Sequence, residues 1–319
     1  MAITTFQGNK TDVRARRIRF GIPAALQLAE THITSIANNK GGVGKSQLVV
    51  QLAAALGRFG LRVLVCDLDP QANTTRRLGI EYDPNAPIVT MSEVIKSGER
   101  GVGQGAVIPC GWVDAAGNPT AEAENIDLIP SRFDLINRET EAGQVGAVRR
   151  LKRALEGWTD EYDVVLIDTP PSLGHLVQMA FAVADTVLIP FDPTYDAVEA
   201  AIRLRDFVQV HAEDLANPGL HVGGVVATRY KRSLEAEEQV AGAREHFGDL
   251  FLDPTRIVKE TGMEDLLIPR WIPEWVRLTE ADSAAVSLSA WSDRQSRRTV
   301  ALYDSVAAEY ITKVIGEAA

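Results

Sequence analysis

From His32 onward the chain alternates two patterns: short continuous apolar runs, and longer stretches in which apolar residues recur every three or four positions. The runs "HITSIAN" (32–38), "LRVLVCDLD" (61–69), "NIDLIP" (125–130), "DVVLID" (163–168), "DTVLIPF" (185–191) and "HVGGVVAT" (221–228) read as buried strands. The segment after the first run is apolar-periodic to Phe59, with Gly60 as its stop, so strand, helix and strand form one βαβ unit. Near-continuous Val/Ile/Leu strands alternating with helices predict an α/β fold, a mostly parallel twisted sheet covered by helices on both faces. Residues 97–124 are glycine-rich, include "DAAGNPT", and read as a loop or hairpin insertion. Residues 1–31 lack periodicity and read as a basic arm, with Lys10, Arg14, Arg16, Arg17 and Arg19 against Asp12 and a short helix at "PAALQLAE". Residues 32–319 then make a single domain.

The stretch "ANNKGGVGKSQLVVQLAAALG" (37–57) carries the clearest chemistry. It departs from G-x-x-x-x-G-K-[ST] at one position, because Asn39 stands where the first glycine belongs. What remains is Lys40, Gly41, Gly42, Val43, Gly44, Lys45 and Ser46, a glycine loop with two lysines. Successive backbone N–H groups leading into a helix N-terminus favour polyphosphate. Lys45 is placed to reach the β- and γ-phosphates, and the Ser46 hydroxyl to bind Mg²⁺. Asp168 ends a buried strand, where a carboxylate serves either as a Mg²⁺-water ligand or as a helix cap; the upstream loop favours the metal. Asp67 and Asp69 share one face of the second strand if the extended backbone persists that far. The same "DPQAN" residues make a good turn, and both readings can hold together.

Composition narrows the setting. A net charge of −10 requires any DNA contact to come from local basic patches working against the global field. Two cysteines, Cys66 and Cys110, in no ligand spacing argue for a reducing compartment and against a metal cluster or redox reductase. No leader-like start or unbroken spanning stretch is present, so a cytoplasmic protein is expected. In "RRTVALYDSVAAEYITKVIGEAA", Val300, Tyr303, Val306, Ala307, Tyr310, Ile311 and Val314 share one helical face. Asp304 and Glu309 make this a core-packed final helix rather than a membrane-surface one.

The motifs "KGGVGKS", "CDLDPQANTT", "NIDLIPS", "VVLIDTPPSLG" and "VLIPFDPTYDAVEA", in this order, resemble the ParA family of partition ATPases. That family belongs to the deviant Walker-A superfamily of P-loop type, with MinD. The resemblance spans residues 33–285. It implies an ATP- and Mg-dependent ATPase that closes as an ATP-sandwich homodimer, binds nucleoid DNA nonspecifically, and positions a plasmid, chromosome or other cargo while a ParB-like partner stimulates hydrolysis. It further implies that Lys40 crosses to the partner subunit's ATP, in the manner of an arginine finger. Asp69 positions the attacking water, Asp67 supports the metal and switch region, and Gln71 and Asn73 belong to the first switch loop. Gln47 and Thr228 join the loop residues as nucleotide contacts. "WIPEWVRLTEA" is similar to the family's I-P-R-x-V-R-L-x-E-A stretch, which puts Pro273 at the adenine pocket and Glu274 where the family has an arginine. A second "IPR" at Ile268 to Arg270 offers a register four residues earlier. Candidate DNA contacts are Arg229, Lys231, Arg232, Arg270 and Arg277, with the "SDRQSRR" cations Arg294, Arg297 and Arg298 beside them. Two other readings compete: a MinD-like membrane-associated regulator, disfavoured by the final helix, and an adaptor that uses ATP only as structural glue.

Overall fold

A computed structural model describes residues 10–254, 257–258, 266–267, 269–291 and 293–316. In chain order the elements are α1 (Lys10–Arg19), β1 (His32–Ile36), α2 (Lys45–Arg58), β2 (Val63–Asp67), α3 (Asn73–Arg77), α4 (Met91–Ser97), β3 (Ile108–Pro109), β4 (Ile126–Ile129) and α5 (Arg150–Leu155). They continue as β5 (Val164–Asp168), α6 (His175–Phe181), β6 (Thr186–Phe191), α7 (Tyr195–His211), β7 (His221–Ala227), α8 (Leu234–Phe247), β8 (Ile257–Val258), β9 (Leu266–Leu267), α9 (Val276–Ala284) and α10 (Arg294–Tyr310). Seven strands form one sheet in the order β3-β4-β2-β5-β1-β6-β7, parallel throughout except at the β3 edge. β8 and β9 pair separately.

The strands read as unbroken apolar runs because both faces of the sheet are covered. On β5, Val164 and Leu166 pack toward α2 and α10, whereas Val165 and Ile167 pack toward α4, α5 and α6. α10 lies in the core as its periodicity predicts, burying Leu302, Tyr303, Val306 and Tyr310, and the Tyr310 hydroxyl bonds Thr34 Oγ1 at 2.7 Å. Among the described residues no helix is long and apolar enough to cross a membrane.

The N-terminal segment differs from the expectation. The helix falls at Lys10–Arg19, and residues 23–30 form turns instead of the expected "PAALQLAE" helix. The reason lies in Arg17, whose Nε donates to Phe59 O at 2.7 Å and whose Nη1 donates to Leu26 O at 3.1 Å. These bonds tie the segment to the end of α2, so tertiary contacts override its local helical pattern. Arg16 pairs with Asp304 on α10, which also pairs with Arg58, while Phe20 and Ile22 enter the core. The basic segment is thus a strap bound to the body, with two of its arginines used internally.

Residues 97–124 supply the antiparallel edge strand β3 and a hairpin bridged at Val113 and Pro119. This segment grips the end of α3. Trp112 Nε1 donates to Arg77 O at 2.7 Å and Gly111 N to Leu78 O at 2.8 Å. The backbones touch so closely that a Cβ on Gly111 would lie 2.4 Å from Gly79 O.

Candidate functional site

The site is built at the carboxyl ends of β1, β2 and β5, the edge where open α/β sheets bind ligands. Between β1 and α2 the chain turns through Gly42 (φ 80°) and Gly44 (φ 84°), left-handed positions that glycine adopts without steric penalty. Asn38 anchors the turn: its Oδ1 accepts from Lys40 N at 2.9 Å, and its Nδ2 donates to Pro190 O at 2.8 Å. Thr228, just beyond β7, donates to Val43 O at 2.6 Å and so touches the loop from the far side.

The two lysines have opposite environments. Lys45 is buried, with Nζ donating to Asn38 O at 3.0 Å and Lys40 O at 3.2 Å. Burial lowers its pKa, and the charges of Asp168 and Asp69 oppose that shift. Lys40 turns outward: its Nζ bonds Thr194 Oγ1 at 2.8 Å, lies 3.7 Å from Asp192 Oδ1, and remains 31% exposed.

The carboxylates converge behind the loop. Asp67 and Asp168 are register partners on adjacent strands, both fully buried. Asp67 accepts from Asp69 N at 3.1 Å through Oδ1 and from Thr75 N and Oγ1 at 2.8 and 2.7 Å through Oδ2. Desolvation, reinforced by the Asp168 charge, pushes its pKa up to about 8. Asp168 accepts from Thr74 Oγ1 at 2.7 Å through Oδ2, with the Ser46 side chain close by. Desolvation raises it to about 6 against the pull of those hydroxyls. Its Oδ1 is buried without a partner. β2 ends at Asp67, so the extended backbone does not reach Asp69, and Asp69 Oδ1 accepts from Gln71 N at 2.9 Å as the turn reading of "DPQAN" expects.

Beside the first turn of α2 lies a cavity of 570 Å³, lined in part by Gln47, Arg77, Arg229, Glu274, Trp275 and Asp282. Asp282 joins its walls: Oδ2 accepts from Gln47 Nε2 at 3.1 Å and pairs with Arg77 Nε at 3.2 Å. Pro273 is buried next to this wall, its backbone bridged to Tyr230 beyond β7. Of the alternative "IPR", Ile268 lies outside the described residues.

The structure therefore brings together Gly41 to Gln47, Asp67, Asp69, Asp168 and Thr228, and sets Lys40 apart. Of the candidate DNA contacts, Arg229 lines the cavity and the other four lie outside it; each of the five faces a carboxylate. Arg229 and Lys231 bond Glu274 at 2.8 and 2.7 Å, and Arg232 lies 3.7 Å from Glu237. Arg270 pairs with Asp253 at 3.2 Å; Arg277 pairs with Glu280 at 2.6 Å and Asp293 at 3.2 Å. Sequence reasoning missed Thr74, Thr75, Asn38, Thr194 and Trp275. Only the adjacent threonines after "DPQAN" carried a signal, two hydroxyls one turn beyond paired carboxylates.

A glycine loop opening α2 below a parallel sheet, with carboxylates on the two neighbouring strand ends, defines a P-loop nucleotide-binding protein. A family model described as an AAA domain matches residues 31–222. The chromosome partitioning protein ParA of Caulobacter vibrioides is 36% identical over 255 residues, covering 79% of this chain and 84% of that one. The sporulation initiation inhibitor protein Soj of Bacillus subtilis is 32% identical over 260 residues, covering 79% and 87%. Among solved structures, an ATP complex of McdA from Cyanothece superposes with a TM-score of 0.68 at 25% identity, over 88% of this chain and 96% of that one. The chain belongs to the ParA family of P-loop ATPases.

Proposed function

We propose that this protein is an ATP-switched positioning ATPase that closes as an ATP-sandwich dimer, binds DNA nonspecifically, and releases it when a ParB-like partner stimulates hydrolysis. The contrast between the two loop lysines is the observation that carries this reading. Lys45 is enclosed by its own loop and serves phosphates bound in the same subunit. Lys40 is held on the outer side by one hydroxyl and one long ion pair, contacts weak enough to exchange for a partner's phosphate. A cation delivered only on closure couples hydrolysis to dimerisation.

The residues present fit a Mg²⁺ ion. Ser46 would bind it through the hydroxyl and Asp168 through water, using the carboxylate oxygen that has no protein partner. When bound, the ion neutralises charge on the β- and γ-phosphate oxygens. The chain's own residues do the remainder: the loop N–H groups and Lys45 hold the phosphates, and Asp69, steadied by Gln71 N, orients the attacking water. The 570 Å³ cavity beside Gln47 would take the base and ribose. Relatives named for chromosome partitioning support a cargo-positioning role.

The test separates the lysines. Lys45→Ala is expected to lower ATP affinity in calorimetry by a hundredfold or more, that is about 3 kcal/mol. Lys40→Ala is expected to keep that affinity while losing the ATP-dependent dimer in sedimentation. Equal loss of affinity in both variants would refute the assignment of Lys40 to the partner's nucleotide.

A further inference from the structure

α3 is only five residues long, yet it ties down the ends of three strands. Thr74 Oγ1 donates to Asp168 Oδ2 at the end of β5, and Thr75 N and Oγ1 donate to Asp67 Oδ2 at the end of β2. Thr75 Oγ1 in turn accepts from Ser131 N at 2.8 Å, just past β4, and Ser131 Oγ donates to Asp69 O at 2.7 Å. Successive helical side chains diverge by about 100°, so neighbours in sequence reach neighbouring strands. Ahead of α3, Ala72 takes a left-handed conformation (φ 51°) that a non-glycine residue adopts at a steric penalty. Behind it, Trp112 and Gly111 fasten its last carbonyls. The helix is fixed at both ends, and its hydroxyls face carboxylates.

We propose that Thr74 is a positioning residue for the metal-water carboxylate: by occupying Asp168 Oδ2 it leaves Oδ1 as that group's free acceptor and fixes the direction in which it is offered. The inference rests on the nucleotide reading above and adds a residue to it. A carboxylate with both oxygens free rotates about its terminal bond, whereas one oxygen pinned by a hydroxyl presents the other in a single orientation. Hydrogen bonds that orient a metal's ligands in this way are worth about ten- to a hundredfold in metal affinity. The arrangement also joins two parts of the site. Thr74 stands five residues after Asp69, so a displacement of the 69–72 loop that carried α3 with it would release the metal-water carboxylate at the same moment.

The experiment titrates Mn²⁺ into the full chain with ADP present, following free Mn²⁺ by electron paramagnetic resonance, and separately measures ADP affinity in EDTA. Thr74→Val is expected to weaken Mn²⁺ binding about tenfold while leaving metal-free ADP affinity unchanged, and Thr74→Ser to restore it. In an Asp168→Asn background, adding Thr74→Val is expected to produce no further loss. Thr74→Ala carries the same expectations and serves if the valine does not fold. Unchanged Mn²⁺ affinity in a folded Thr74 variant, or a further loss in the Asp168→Asn background, overturns the proposal. Failure of the unsubstituted protein to bind ADP with or without metal would instead refute the nucleotide reading, and this inference with it.

Discussion

Two regions of charged side chains, the strand ends behind the glycine loop and the surface beyond β7, are held by different physics. Behind the loop, Lys45, Asp67 and Asp168 are buried, and their partners are backbone atoms or hydroxyls fixed by strands and by α3. Burial makes those bonds strong and an unpaired charge expensive, so geometry there is specified closely. Beyond β7, Arg229 and Lys231 share Glu274 at 41% and 78% side-chain exposure, and Arg232 is 89% exposed. Such pairs contribute about 0–1 kcal/mol and exchange readily. The first region has the character of a preorganised chemical site; the second is a surface whose cations are available to another polyanion once their carboxylates let go.

The contrast is tested most severely at Asp69. Asp69→Ala is expected to lower steady-state phosphate release by about a hundredfold or more, while the ATP-bound dimer persists in sedimentation because the phosphate contacts remain. Native turnover in that variant would show that water is oriented by another group, and the buried region would lose its chemical role.

A smaller effect is expected on the surface side. Glu274→Gln removes the carboxylate shared by Arg229 and Lys231, so DNA retention of the ATP-loaded protein should rise several-fold at low salt. The slope of log affinity against log salt should steepen by about one or two contacts. A Lys231→Glu, Arg232→Glu double reversal should act in the opposite direction. If Glu274→Gln leaves retention and slope unchanged, these cations do not meet phosphate. If the ATP-loaded protein shows no retention in any form, the DNA part of the proposed function fails.

The smallest effect concerns pH and returns to the buried side. Asp67, pushed up to about 8 by desolvation and by Asp168, keeps a proton in the folded chain that the unfolded chain has already lost. Its contribution to stability is complete below the ordinary carboxylate value near 4 and is lost as pH rises through about 8. The nucleotide-free protein should therefore lose several degrees of Tm between about pH 6 and pH 9, and Asp67→Asn should flatten that decline. Parallel Tm profiles in the two proteins would mean that Asp67 is ionised throughout, with its three donors outweighing burial.

Much of the buried region could be read before the fold was known. Each of the six apolar runs became a strand of the parallel sheet, because a strand covered on both faces must be apolar at nearly every position. The glycine loop and strand-end Asp168 were legible for a similar reason: local backbone requirements leave a local signature. The remainder depends on contacts that no window of sequence contains. Thr74 meets Asp168 across 94 positions, and Arg17 meets Phe59 across 42. The first contact makes Thr74 part of the site; the second belongs to an arginine that also holds Leu26 O, inside the "PAALQLAE" stretch that forms turns instead of the expected helix. Lys40 shows the same limit, since "KGGVGKS" announces an extra lysine but not the Thr194 hydroxyl that holds it.

The strap formed by α1 bears on the order in which the molecule assembles. Arg16 meets Asp304 across 288 positions, so α1 leaves the ribosome long before the helix that completes its binding surface. Closing so large a loop is entropically slow, and contacts of this separation form late. Until α10 docks, Phe20 and Ile22 have lost part of their cover, and Arg58 has no Asp304 to meet. A nascent chain therefore carries an adhesive, positively charged helix through most of its synthesis. Final docking of α10 masks that helix and covers the sheet in one step.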